Sequence, residues 1–354
     1  MDFTTLFTPA SVSARWTEAV SNRIPMVGES LFPARKQAGL DLSFIKGSKG
    51  LPISLMPSAF DAKATFRDRI GVEKLETEMP FFREGFKIKE KDRQEILKAQ
   101  DIDSPFIMPI LSRIYDDANE LIEGALVASE RERMQLLFAQ NGNVGITIVA
   151  NGVSYAYNYD KDGAWKSTNY FELGGDAAWS NASTADSFND IDTAKQAILA
   201  KTGAAIAYAV MNTVTFNYMM KMTNIKNRFL TASGLAIGYP TRGEIRKVVE
   251  DTAEIRIIIY DKQFRDENKV AHKFVPDGYV ALIPDGALGN TYYGTTPEEA
   301  DLMGKGAAEV AIVNQGIAVT QIVDPHPVNV NTFVSQIVLP SYERMDDVAL
   351  LKVV

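Results

Sequence analysis

Few side chains in this chain could do chemistry, and their spacing fits no reaction. The sequence holds 354 residues with no Cys and only two His, His272 and His326. Without thiols there is no thiolate nucleophile, redox pair, iron–sulfur ligand or thiolate zinc site. Two histidines cannot build a multi-histidine metal centre. Gly304-Lys-Gly306 has the glycine and lysine of a phosphate loop but lacks its four-residue spacer and its closing Ser or Thr. Asp160-Lys-Asp162-Gly163 begins like a calcium loop, yet Phe171 stands where the twelfth-position carboxylate belongs, so a plain turn is expected. Asp116 and Asp117 are adjacent within a helical pattern and point different ways, which suits a solvated face better than a catalytic pair. Asn181-Ala-Ser183 matches a glycosylation acceptor, but nothing else in the chain indicates secretion. His272, in a charged loop, and His326, between two prolines, read as surface residues. The expectation is no enzyme, no metal and no cofactor.

Composition agrees. Apolar residues make up 46% and charged residues 23%, enough to bury one sizeable core or two smaller ones. No stretch approaches the roughly 20 apolar residues of a membrane helix. The start, Met-Asp-Phe-Thr-Thr, has neither basic head nor apolar core, so a cytosolic product without a signal peptide is expected. The net charge of −8 argues against a nucleic-acid-binding surface. That charge is unevenly placed: residues 1–60 carry +2, residues 61–98 carry +1, and the remainder carries −11. Between Asp61 and Lys98, 19 of 38 positions are charged. Alternation there, with Phe86 and Ile88 between charges, suggests a long hairpin. Such a ribbon is marginal alone, so it lies on its own subunit or reaches a neighbour, where interleaved charges would set register.

Residues 1–60 show little periodicity, and Pro9, Pro25, Pro33, Pro52 and Pro57 favour an extended arm over long helices. Next, apolar residues recur at helical spacing from Ile107 to Phe138, with Ser104-Pro105 as the start and Asn141-Gly142 as the stop. A helix of roughly 35 residues, about 50 Å long, is expected as a spine. A hairpin follows around Asn151-Gly152. Gly174-Gly175 and the stretch from Ala177 to Asn189 read as a linker, with a domain change near 180. Beyond it, Asp190 caps a helix to Ile198, Ala204 to Asn212 is a strand, and Thr215 to Leu230 is a helix. Thr241-Arg-Gly-Glu244 opens another helix with a capping box. Strands are expected at Glu254–Tyr260, Gly278–Ile283, Val319–Val323, Val328–Leu339 and Val348–Val353. The fold class is α+β, without repeats.

This order of parts resembles that of tailed-bacteriophage major capsid proteins, and within them the lambda-type (capsid protein E) family. The similarity runs over most of the chain. It is plainest at Glu132-Arg-Met-Gln-Leu-Leu into Gly142, at Trp179-Ser180 leading to Asp190-Ile191-Asp192, at Phe274-Val275-Pro276-Asp277 and at Ser335-Gln-Ile-Val-Leu-Pro340. The resemblance implies the Hong Kong 97-type capsid fold, here with an N-terminal arm at 1–50 and an extended loop at 51–92. It further implies a peripheral domain with the spine helix at 93–180 plus 318–354, and an axial domain at 181–317. The implied function is a shell of pentamers and hexamers around double-stranded DNA, located in the virion and assembled in the bacterial cytoplasm. Scaffolding, portal and decoration proteins are the implied further partners, and the DNA is enclosed without sequence-specific binding. Some relatives cross-link through a loop Lys and a partner Asn; the lambda type does not. In the loop, Arg67, Arg69, Lys87 and Lys89 are the expected inter-subunit contacts. An encapsulin-type compartment is the alternative within the fold, and a two-carboxylate glycosidase a formal competitor outside it.

Overall fold

The computed structural model describes residues 8–20, 26–46, 73–90, 94, 107–150, 153–227, 240–266, 268–302, 309–325 and 328–354. In chain order, α1 (Pro9–Val20) and α2 (Val27–Leu31) precede β1 (Ala34–Lys36), β2 (Asp41–Lys46), β3 (Glu73–Glu78) and β4 (Phe81–Ile88). The spine helix α3 (Ile107–Leu137) leads into β5 (Gly145–Ala150), β6 (Val153–Asn158), α4 (Ala164–Asn169) and β7 (Tyr170–Glu172). Then come α5 (Ser187–Thr202), β8 (Ile206–Met211), α6 (Thr213–Lys221), α7 (Arg242–Ala253) and β9 (Arg256–Ile259). The remaining strands are β10 (Gln263–Arg265), β11 (Ala271–Lys273), β12 (Tyr279–Pro284), β13 (Thr291–Tyr293), β14 (Glu309–Val313), β15 (Ile317–Pro325), β16 (Val328–Pro340) and β17 (Ala349–Lys352).

These elements gather into two compact units. One lies within Met1–Leu42, Glu76–Glu132 and Asn290–Ser341, the other within Ser43–Leu75, Arg133–Gly289 and Tyr342–Val354. The cuts fall after residues 42, 75, 132, 289 and 341.

The first unit is a sheet in the order β1-β13-β16-β15-β14, with β4 also paired to β16. The helices α1 and α3 cover one face. Val12 and Trp16 of α1 and Ala118 and Ile122 of α3 form one buried cluster with Ile88, Val319, Val330 and Val334 of the strands. The arm is therefore not wholly extended as its prolines suggested. Pro9 occupies the first turn of α1, where its missing N–H is no loss. Thr8 and Ser11 close that end reciprocally: the Thr8 amide donates to Ser11 Oγ at 3.0 Å and the Ser11 amide to Thr8 Oγ1 at 3.2 Å. The charged segment also departs from its expected form. Its strand β4 lies antiparallel to β16, from Ile88 opposite Val330 to Phe81 opposite Ile337, while β3 pairs with β2. Alternation identified the strand correctly but carries no information about its partner.

The second unit centres on a sheet ordered β7-β17-β12-β8-β9, with β12 buried along its length. The stretch read as a linker is part of this core: Trp179 is fully buried and its amide donates to the Val353 carbonyl at 2.7 Å. Small, polar residues there mimic a linker, but one tryptophan anchors it. Asp186, not Asp190, caps α5, accepting from the amides of Phe188 and Asn189. Asp190 sits in the first turn and accepts from Trp179 Nε1 at 2.8 Å. Gly203 ends α5 at φ 76°, a conformation that favours glycine. The methionine-bearing helix breaks at Met222, whose ψ of 135° is extended, so α6 is shorter than expected. The capping box of Thr241 and Glu244 is present on α7. In α3, whose expected start at Ser104-Pro105 lies outside the described residues, the stop is where it was expected: Asn141 and Gly142 follow at φ 53° and 74°. The hairpin β5–β6 runs from Gly145 opposite Asn158 to Ala150 opposite Val153.

Candidate functional site

Some of the residues singled out for chemistry are occupied by structural tasks. Asp160 turns one carboxylate oxygen to the amide of Trp165 and the other to that of Lys166, both at 3.0 Å. It satisfies two first-turn amides of α4, whose N-cap residue is Gly163, so the supposed calcium loop is a turn feeding a helix. Asp116 and Asp117 are exposed on α3. Ser183 donates to its neighbour Asn181 at 2.9 Å. Among the described residues no group of three or more His, Cys, Asp or Glu could hold a metal ion. Gly304-Lys-Gly306 and His326 lie outside the described residues.

His272 belongs to a small hairpin, β10–β11. Its ring stacks on Phe264 at 5.4 Å and meets Asp266 Oδ2 at 2.9 Å. The other oxygen of Asp266 accepts from the amides of Asn268 and Val270, which fixes the turn. The His272 contact first, then the Val270 amide, holds the Asp266 carboxyl below the usual range.

The strongest constellation is mechanical and lies where β4 meets β16. Phe333 lies across from Gly85, and a Cβ on that glycine would fall 2.5 Å from the ring. Only glycine allows this close approach without a shift, so the ring fixes the register of β4. Two residue pairs along, Arg83 forms an ion pair with Glu298, which is only 6% exposed, and Ser335 Oγ donates to the same carboxylate at 3.0 Å. The Arg83 guanidinium also lies over the Phe81 ring at 4.7 Å. Glu298 opens a π-helical turn, Glu298–Leu302, whose next residue Glu299 holds Lys36 of β1. Beside this clamp is a hollow of about 420 Å³ lined by Thr320, Ile322 and Phe333. On the helix-covered face, Gln336 donates to the Ala125 carbonyl of α3 at 2.8 Å. The arrangement fixes a strand and moves no proton or electron.

Of the four residues expected at inter-subunit contacts, Arg67 and Arg69 lie outside the described residues. Lys87 faces Asn331 in register; its Nζ is 3.7 Å from Asp324 Oδ2, the oxygen that also accepts from Asn331 at 2.7 Å. Half exposed, this pair is worth about 0–1 kcal/mol. Lys89 is exposed just past the end of β4. The sequence reading missed Arg83, Gly85, Glu298 and Phe333. Nothing local marks them, because each acquires its role from a residue distant in the chain.

The family model for phage major capsid protein E matches residues 8–353 of this chain. The chain belongs to this family. As a phage major capsid protein of the E family it is a structural protein, not an enzyme. Solved structures share its fold at low identity. A phage-related protein from Bordetella bronchiseptica RB50 is 15% identical, with a TM-score of 0.57 over 98% of this chain and 97% of that one. A prophage capsid protein from Escherichia coli CFT073 is 12% identical, with a TM-score of 0.61 over 98% and 99%. The capsid chain of cyanophage A-1(L) is 11% identical, with a TM-score of 0.50 over 93% and 92%. At such identities the likeness is one of fold: the α+β, Hong Kong 97-type capsid fold. No curated protein matches the sequence. Among the described residues no helix of this capsid protein is long and apolar enough to cross a membrane.

Proposed function

We propose that many copies of this capsid protein close, as pentamers and hexamers, into an icosahedral shell around double-stranded DNA. The match of the E-family model over residues 8–353 carries the proposal. The unit that holds α3 as far as Glu132 then serves as the peripheral domain and the other as the axial domain. On that assignment residues 133–180 and 342–354 move from the peripheral to the axial side of the boundaries read from sequence, and residues 290–317 move the other way. Residues 1–50 act as the arm and 51–92 as the extended loop, with Arg67, Arg69 and Lys89 reaching neighbouring subunits. Lys87 adds to such a contact only by giving up Asp324. Scaffolding, portal and decoration proteins are the further partners, and assembly takes place in the bacterial cytoplasm. The shell holds together without covalent links between subunits. The −11 carried beyond residue 98 makes its lining neutral to acidic, so that DNA is contained rather than gripped.

Electron microscopy of the purified full chain tests this directly. Closed shells of uniform diameter are expected, and native particles should hold nuclease-protected DNA. Particles filled with a protein cargo in place of DNA, or only small open oligomers under every assembly condition, would overturn the reading.

A further inference from the structure

Strand β9 is the last strand in its sheet, pairing in parallel with β8 on one side. Alternate residues of a strand turn both the N–H and the C=O toward the same side, so an edge strand presents a row of donors and acceptors to any chain that meets it. At Ile257 that row is filled. The amide of Ile257 donates to Glu250 Oε1 at 2.8 Å, and its carbonyl accepts from Arg246 Nη2. Arg246 Nε also donates to the same Glu250 oxygen at 2.9 Å. Both side chains come from one face of α7, one helical turn apart. Together they offer one acceptor and one donor, as a neighbouring strand would. One step earlier, just before β9, the amide of Ile255 donates to the Glu250 carbonyl.

We infer that Arg246 and Glu250 form an edge guard that keeps a second copy of this chain from adding a strand to β9. The occupant excluded is another copy because, on the capsid reading on which this rests, copies meet one another at high density. The β9 sequence, Arg-Ile-Ile-Ile, has the β-branched character that makes an open edge a template for pairing. An ordinary surface ion pair needs only its opposite charge. This one is bonded to both backbone groups of a single edge residue.

The test uses the full chain, with thioflavin fluorescence and light scattering to find the concentration at which β-rich association begins. Microscopy separates closed shells from irregular aggregates. In the double variant Arg246→Ala with Glu250→Ala that threshold should fall about tenfold, the factor expected from freeing one or two backbone hydrogen bonds. Glu250→Gln keeps the acceptor for the Ile257 amide and should stay at the parent threshold. Adding Ile258→Lys to the double variant places a charge on the bared edge and should restore the threshold. A double variant as dispersed as the parent, with faster exchange at the Ile257 amide, overturns the inference. So does association that Ile258→Lys leaves unchanged, because loss of fold and not an open edge would then be its cause. If the double variant shows no cooperative melt, Arg246→Met decides: it frees the Ile257 carbonyl alone, and a parent-like threshold overturns the inference while a lowered one supports it. A parent that forms no shells speaks against the capsid reading alone, since the threshold comparison does not require them.

Discussion

The first unit draws its sheet from three separate stretches of chain, whereas most of the second comes from one continuous run, Arg133–Gly289. In the first, β4 is placed by residues remote in sequence: Glu298 takes Arg83, Phe333 covers Gly85, and β16 supplies the ladder. In the second, α5, β8, α6, α7 and β9 follow one another and share a core. Contacts between distant stretches require loop closure before they reward it, so the first unit should order late and loosen early. The second has more local reward and should hold its structure under milder challenge.

The largest effect should separate the units outright. Trp16 and Trp179 are each fully buried, one in each core. Truncation of either to Ala should cost about 3–5 kcal/mol. Hydrogen exchange should then rise across β14 and β15 for Trp16→Ala, and across β8 and β12 for Trp179→Ala. If both variants loosen all four strands equally, the units do not melt independently and the comparison fails.

The next effect concerns the clamp. Arg83 is 46% exposed and Glu298 nearly buried, so the two truncations are not equivalent. Arg83→Ala leaves a buried carboxylate with Ser335, costing toward the 3 kcal/mol end of the range for broken buried pairs. Glu298→Ala leaves a guanidinium that water can reach, costing about 1 kcal/mol. Denaturant midpoints measure the order, and equal costs would mean that the carboxylate is not the vulnerable partner.

A third measurement uses pH on the second unit. Burial, then the neighbouring Asp346 and Asp347, raises the Tyr342 hydroxyl above its usual value. Burial and the nearby Tyr279 and Glu172 push Tyr170 up to about 12. A raised folded pKa contributes stability that is complete below the unfolded value of 10 and lost as pH climbs through the folded one. Thermal melts should therefore fall above pH 10. Tyr170→Phe should flatten the decline between pH 10 and about 12, and Tyr342→Phe should flatten the same decline from pH 10 upward. An unchanged slope in both variants would place the alkaline loss elsewhere.

The smallest effect is at Asp190. Burial raises its pKa against the opposing Trp179 hydrogen bond, so its contribution is present at acid pH and is lost as pH rises. Asp190→Asn keeps an acceptor for the indole and removes the charge. Stability at neutral pH should stay within about 1 kcal/mol of the parent. A larger loss would show that the charge itself supports the turn above α5.

The same contrast explains what could be read from the chain. Local signals were sufficient for α3, for the β5–β6 hairpin and for the capping box of α7, because periodicity, a turn dipeptide and an S/T-x-x-E pattern each act over a few residues. They failed for α1, where prolines outweighed a Thr-Pro-Ala-Ser start that favours a helix. They failed again for residues 174–189, where composition could not reveal that Trp179 is an anchor. The β4 strand was legible but its partner was not, and with the partner the whole clamp was hidden. No residue type announces a glycine that must lie under a ring from another stretch.

That last constraint bears on how such a protein can be recombined. Gly85 must accommodate Phe333, and a Cβ on Gly316 would fall within the ring of Tyr293. Each pair is a lock and key, the first cut from two stretches of the chain and the second from one, so neither member can drift alone. A chimera with a relative at 11–15% identity that exchanges only residues 76–132 would part Gly85 from its matching ring. An exchange of the continuous run Arg133–Gly289 severs neither pair. The permitted crossover points are set by where the rings lie, not by how similar the sequences are.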